Sequence, residues 1–224
     1  MYYQRNKNIG MVEIIIIINV IVFFILYLIP KLYLILSLNI GNPNDFINRY
    51  GISIAYTINN NAYWQLFTSM FVHGGIFHLI FNMYGLYIFG KPLEEKWEKL
   101  PFLLFYLVVG ILANIASVLF LNLTTSNPIV LIGASGAIMG VLIAFGAYYP
   151  EVQLLLFFVI PIRVKWAILL YATLELFFEI SGAASKIAHF THLFGFLFGY
   201  LYLLIFFKTN AIKEMFFRNR NYYY

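Results

Sequence analysis

Cysteine is absent from the 224 residues. That removes disulfides, thiolate catalysis and thiolate metal sites in one step, and it leaves the redox compartment undetermined. Charge is nearly as scarce: Asp, Glu, Lys and Arg make up 10% of the chain, where a soluble domain of this size carries about a quarter. Asp45 is the sole aspartate and stands outside every apolar run, which excludes a two-aspartate intramembrane protease. The H-E-x-x-H of a helical zinc protease is missing too. Four histidines without cysteine make a poor zinc set, and no cofactor, metal or nucleic-acid partner is expected.

What the chain has in abundance is apolar surface: 62% of its residues are hydrophobic and 20% aromatic. Several runs reach the ~20 apolar residues that cross a ~30 Å hydrocarbon layer, where only a helix satisfies its own backbone. These runs do not alternate as barrel strands do, which argues against a β-barrel. The first run follows Arg5 and Lys7 but is too long for a secretion signal, and no small-residue cleavage site follows it. It is expected to stay as a first span.

The expected architecture is an all-α polytopic membrane protein with six spans: Val12 to about Leu28, Ile76 to Gly90, Phe102 to Leu121, Ser135 to Tyr148, Val164 to Ile180, and Ile187 to Phe207. Residues 1–11 form an N-terminal tail, 12–207 the membrane domain and 208–224 a basic tail. An even count puts both ends on one side. If that side is the cytoplasm, only Lys31, Arg49 and Lys186 of the fourteen basic residues lie outside, as the positive-inside rule requires. With no organelle-targeting segment in view, the cell membrane is the default location. Residues 40–75 make a long outer loop whose aromatics, among them Tyr50, Tyr56, Tyr63, Trp64, Phe67 and Phe71, favour the membrane interface. On the inner side "VQLLLFFVIPIRVK" is too short to span and reads as an interfacial segment.

Polar side chains inside spans are expensive and therefore functional candidates. They are His78 and Asn82 in span two, Ser135 opening span four, Glu175 and Glu179 in span five, and His192 in span six. Counted from the inner ends at ~1.5 Å per residue, His78, Ser135 and His192 all stand ~20 to 24 Å above the inner boundary. Asn82 lies one turn below His78 on the same face. Gly136 and Gly140 form a small-xxx-small pair in span four, and Gly195 and Gly199 another in span six, so the helices carrying Ser135 and His192 are expected to touch. A serine hydroxyl becomes nucleophilic when an adjacent base takes its proton, and a neutral imidazole is the usual base. The Ser135 backbone N–H, the Asn82 amide and His78 are the candidate oxyanion donors. Taken singly, each of these residues is as readily a packing or hydrogen-bonding group in a bundle.

In their order along the chain, "WQLFTSMFVHGGIFHLIFNMYGLYIFGKPLEEKW", "GASGAIMG" and "AHFTHLFGFLFGY" resemble the rhomboid intramembrane serine proteases. The resemblance implies six helices around a water-filled cavity, with Ser135 as nucleophile and His192 as its base. It further implies that His78, Asn82 and the Ser135 amide bind the oxyanion and that Gly133 shapes the turn beneath it. Gly195 and Gly199 would let span six pack on span four, and Glu94 matches the family's structural glutamate. The implied activity is hydrolysis of peptide bonds in or near the spans of other membrane proteins, with the lipid bilayer as the second partner.

Two departures stand out. The family's Trp-Arg pair is Trp64 and Gln65 here, which removes a salt bridge from the first loop at a modest cost in order. The aromatic that many members carry four residues after the serine is Met139, whose thioether still packs on an imidazole, so His192 is expected to be held less rigidly. Glu175 and Glu179 are expected at a solvated rim, since the resemblance implies a dyad without a carboxylate. His73 and His189 are expected to be loop or interface residues, and the Asn122-Leu-Thr sequon a coincidence. The alternatives are a catalytically idle rhomboid-like protein that binds client spans and a small transporter, which would spread polar groups over several depths.

Overall fold

A computed structural model describes residues 9–28, 63–124, 131–156, 159–181 and 189–217. The expectations for Asp45, Tyr50, Tyr56, the loop from 40 to 62, Lys186, and the outer parts of both tails fall outside these residues, as do those for the side chains of Asn122 and Glu179.

Helices occupy all six expected places. They are α1 (Met11–Leu28), α3 (Ile76–Gly85) continued by a π-helical turn (Leu86–Gly90) into α4 (Lys91–Trp97), α5 (Lys99–Thr124), α6 (Ser135–Tyr148), α7 (Val164–Ser181) and α8 (His189–Phe206). A short helix, α2 (Gln65–Thr68), runs into a 3-10 turn at Ser69–Phe71 ahead of α3. The run of five isoleucines at Ile14–Ile18 is β-branched and would favour a strand in water. As a helix it needs no partner for its backbone, which is the decisive requirement in hydrocarbon.

Two helices, Lys99–Phe120 and His189–Phe206, are long and apolar enough to cross a membrane by themselves. The segments Gln65–Phe71 and Ile76–Trp97, bent by 94° at their junction, make a third if taken together. Helix α6 has 14 residues, about 21 Å at the α-helical rise, and so falls short of the ~30 Å layer.

Helix α6 is the centre of the molecule: every residue from Gly136 to Ala147 except Leu142 is buried, against α5, α8, α7 and the π-helical turn. Phe102, Phe105 and Tyr106 on α5 are fully buried beside it. The outer faces carry exposed apolar side chains, Phe77 and Phe81 on α3 and Phe206 on α8 among them, as expected of a surface that meets lipid tails. Trp97 at the end of α4 stacks on Phe207, just past the end of α8, with ring centroids 4.3 Å apart, which joins the C-terminal ends of two helices distant in sequence.

Glu94 does its work on α1. Its carboxylate accepts the backbone N–H groups of Met11 and, at 3.1 Å, Val12, satisfying two of the donors that every helix start leaves open. Lys91 lies 2.5 Å from Glu13 and 3.8 Å from Glu94 and closes the cluster. The interfacial segment is a two-stranded antiparallel hairpin, β1 (Gln153–Leu156) on β2 (Ile160–Arg163), in the register Gln153 to Arg163. Its exposed Leu155 and Val159 suit an interface, and Glu151 beneath it pairs with Arg163 at 2.9 Å and with Lys165.

Candidate active site

Ser135 is the first residue of α6, and the turn that delivers it is built on Gly133, whose φ is +105°. Only glycine adopts that region freely. Space makes the same demand, because a side chain at 133 would meet His78 Nε2 at 2.7 Å. The turn is held from below: Gly133 N–H donates to the Ser69 carbonyl at 2.9 Å. Asn114 on α5 donates in turn to the Leu66 carbonyl at 2.8 Å and to Ser69 Oγ at 3.1 Å. Neither Ser69 nor Asn114 stands out in the sequence, since a buried Asn in an apolar helix gives no hint of which loop it will clamp.

The first backbone hydrogen bond of α6 runs from Ile138 N–H to the Ala134 carbonyl. The amides of Ser135, Gly136 and Ala137 thus precede the helical ladder and aim along the axis at the serine end, where the helix dipole favours negative charge. His78 presents its ring to the same place. Its Nδ1 accepts the Gly74 N–H at 3.4 Å, which leaves Nε2 as the protonated nitrogen of the neutral ring, directed at the Gly133 turn. Asn82 Nδ2 donates to the His78 carbonyl at 2.8 Å. That uses one of its two amide hydrogens and leaves the other.

Helices α6 and α8 meet backbone to backbone. A Cβ on Gly195 would lie 2.1 Å from the Gly136 carbonyl oxygen, and one on Gly199 2.6 Å from Gly140 Cα. Gly136 also abuts Thr191, the residue before His192, with its hypothetical Cβ 3.1 Å from Thr191 Cγ2. This close approach brings the start of α6 and the His192 turn of α8 together. Among the described residues, no hydrogen bond joins the Ser135 hydroxyl to His192. Such bonds are commonly long in an empty site and shorten when substrate arrives.

Two expectations are corrected, for Glu175 and for His189. Glu175 is no solvated rim residue: it is buried, with Oε1 3.0 Å from His192 Nδ1 and Oε2 2.5 Å from His189 Nδ1. The reason is that α7 leans its Tyr171 and Glu175 face, one turn apart, onto α8, and two imidazoles replace the water a carboxylate would otherwise need. His189 is no loop residue: it opens α8 and is buried in the Glu175 pair, whereas His73 does lie in the loop between the 3-10 turn and α3, buried there with its ring 5.0 Å from that of His78. His192 has an aromatic neighbour although residue 139 is methionine. Tyr171 supplies one from α7, its hydroxyl 3.5 Å from His192 Nδ1 and its ring 6.4 Å away. Gln65, in place of the arginine, is buried at the start of α2.

The family model described as the Rhomboid domain matches residues 60–209. The chain belongs to the rhomboid family. Among its relatives, RHOMBOID-like protein 6, mitochondrial, of Arabidopsis thaliana is 32% identical over 155 residues, covering 66% of this chain and 46% of that protein. The putative rhomboid protease YdcA of Bacillus subtilis (strain 168) is 35% identical over 131 residues, 57% of this chain and 60% of the relative. The Inactive RHOMBOID-like protein 8 of Arabidopsis thaliana is 31% identical over 72 residues, 32% of this chain and 20% of the relative. The chain therefore spans three fifths or less of these curated relatives. Rhomboids are embedded in membranes, and the apolar helices found here agree with that setting. Their names run from protease to inactive, so membership alone does not decide activity.

Proposed function

We propose that the chain is an intramembrane serine protease that hydrolyses peptide bonds in or near transmembrane segments of other membrane proteins. One observation carries this reading: the Gly133 turn starts a buried helix at a serine, beside His78 Nε2, with the helix bearing His192 packed against it. Ser135 attacks the scissile carbonyl while His192 takes its proton and returns it to the leaving amine. The Ser135 amide, His78 and the spare Asn82 hydrogen receive the oxyanion. Water then hydrolyses the acyl-enzyme. A helical substrate hides its carbonyls in its own hydrogen bonds, so cleavage sites fall where Gly, Ala, Ser or Pro loosens the helix.

In this reading the helices make six crossings of the cell membrane, both termini are cytoplasmic, and substrate enters past α7 and the segment from 166 to 186. The test is cleavage of a model membrane substrate by the wild type, Ser135→Ala and His192→Ala. Loss of cleavage in both variants is expected, and wild-type activity in both would overturn the mechanism. A second reading, a catalytically idle protein that binds client spans, draws on the absence of a Ser135–His192 hydrogen bond among the described residues. A fluorophosphonate probe separates the two, because only an activated serine reacts.

A further inference from the structure

We infer that Glu175 is a positioning residue for His192: its carboxylate holds the Nδ1–H of the imidazole and so presents the Nε2 lone pair for the Ser135 proton. The inference rests on the protease reading and extends the pair to a serine–histidine–glutamate arrangement drawn from α6, α8 and α7.

The geometry leaves little choice of hydrogen. A carboxylate only accepts, and both oxygens of Glu175 face Nδ1 atoms, that of His192 at 3.0 Å and that of His189 at 2.5 Å. Each Nδ1 is therefore the protonated nitrogen, and in a neutral ring the other nitrogen is the acceptor. For His192 that is the state a general base requires. Fixing this tautomer is what the carboxylate does in serine–histidine–aspartate enzymes on unrelated folds.

His189 has a separate task. It lies three residues before His192 on the same face of α8, and by binding Oε2 it fixes the plane of the carboxylate while Oε1 faces His192. Tyr171, one turn before Glu175, places its hydroxyl 3.5 Å from the same Nδ1. An unpaired carboxylate in so buried a position would be costly, and the two imidazoles make it tenable. The arrangement also ties the orientation of the base to α7, the helix past which substrate is proposed to enter.

The test uses the full chain in detergent or liposomes, with wild type, Ser135→Ala, Glu175→Ala and Glu175→Asp compared on one membrane substrate. Glu175→Ala is expected to lower kcat by about 10- to 1,000-fold, short of the ~10⁴ caused by an enforced wrong tautomer, with KM changed less than about twofold. Glu175→Asp should recover part of the loss. The readout a packing role would not move is the tautomer itself: 15N spectra of histidine-labelled wild type should show His192 protonated at Nδ1 and bare at Nε2, and Glu175→Ala should mix the two forms.

Wild-type His192 protonated at Nε2 would overturn the inference even if no variant folds. So would an undiminished kcat in Glu175→Ala beside an inert Ser135→Ala, and in that case the protease reading stands. If instead the wild type neither cleaves nor takes a fluorophosphonate label, that reading falls by itself.

Discussion

Gly195 on α8 and Gly136 on α6 touch through their backbones, with a hypothetical Cβ on Gly195 only 2.1 Å from the Gly136 carbonyl oxygen. In hydrocarbon there is no water to squeeze out between helices, so association depends on close packing of small residues. A backbone oxygen cannot swing aside. Gly195→Val should force the two helices apart at a cost of about 1–3 kcal/mol, roughly 2–4 °C of Tm per kcal/mol for a chain of this size. Cleavage should fall further than stability, because the proposed nucleophile and base ride on different helices. Thermal unfolding and substrate cleavage on the same detergent preparation check this; a wild-type Tm in Gly195→Val would remove the close contact from the account.

The turn before the serine offers a sharper contrast. Gly133 has φ +105° and no room beside His78, whereas Gly75 is extended and has nothing within 4 Å of a hypothetical Cβ. Gly133→Ala should cost about 1–3 kcal/mol in strain and depress kcat, since any relief moves either the Ser135 amide or the His78 ring. Gly75→Ala, at the N-cap of α3, should cost no more than about 1 kcal/mol in capping and retain activity. Equal effects from the two alanines would show that the Gly133 turn is not special.

How much of this was legible beforehand follows from the physics of each residue. The helices were, because in lipid a long apolar run has only one way to satisfy its backbone. The close approach at the glycine pairs on spans four and six was also legible, since their spacing depends only on the helical period. Glu175 was misplaced for a definable reason: its distance from the end of span five sets its depth but not its azimuth, and the azimuth is fixed by how α7 leans on α8. Asn114 and Ser69 went unseen because Asn114 reaches the Leu66 carbonyl 48 residues away and the Ser69 hydroxyl 45 residues away, relations that no local pattern of side chains encodes. The approach of Tyr171 to His192 was hidden likewise, for it crosses from one helix to another.

Asn82 gives a test of the oxyanion site. One of its amide hydrogens is committed to the His78 carbonyl, so its removal affects both its own donation and, mildly, the helix. Asn82→Ala is predicted to lower kcat by roughly 10- to 1,000-fold, the scale of one oxyanion donor, with little change in KM. Steady-state kinetics on a soluble reporter of the membrane substrate would measure the split. An effect confined to KM would assign Asn82 to substrate binding instead.

Two lesions of comparable stability should differ in what they do to turnover. Glu94→Ala removes the acceptor for the Met11 and Val12 amides at the start of α1, a capping loss of about 0.5–2 kcal/mol. Asn114→Ala removes the donor that clamps Leu66 and Ser69, leaving buried acceptors unsatisfied for about 1–3 kcal/mol. The first cluster lies at the start of α1 and, among the described residues, makes no hydrogen bond or ion pair with the Gly133 turn. The second supports that turn through the Gly133 N–H bond to Ser69. Glu94→Ala should therefore lower Tm while its folded fraction keeps wild-type kcat, and Asn114→Ala should lower both. Titrating active serines with a fluorophosphonate and dividing the cleavage rate by that number separates the effects. If Asn114→Ala turns over at the wild-type rate per active serine, the clamp stabilises the fold without setting the geometry of the nucleophile.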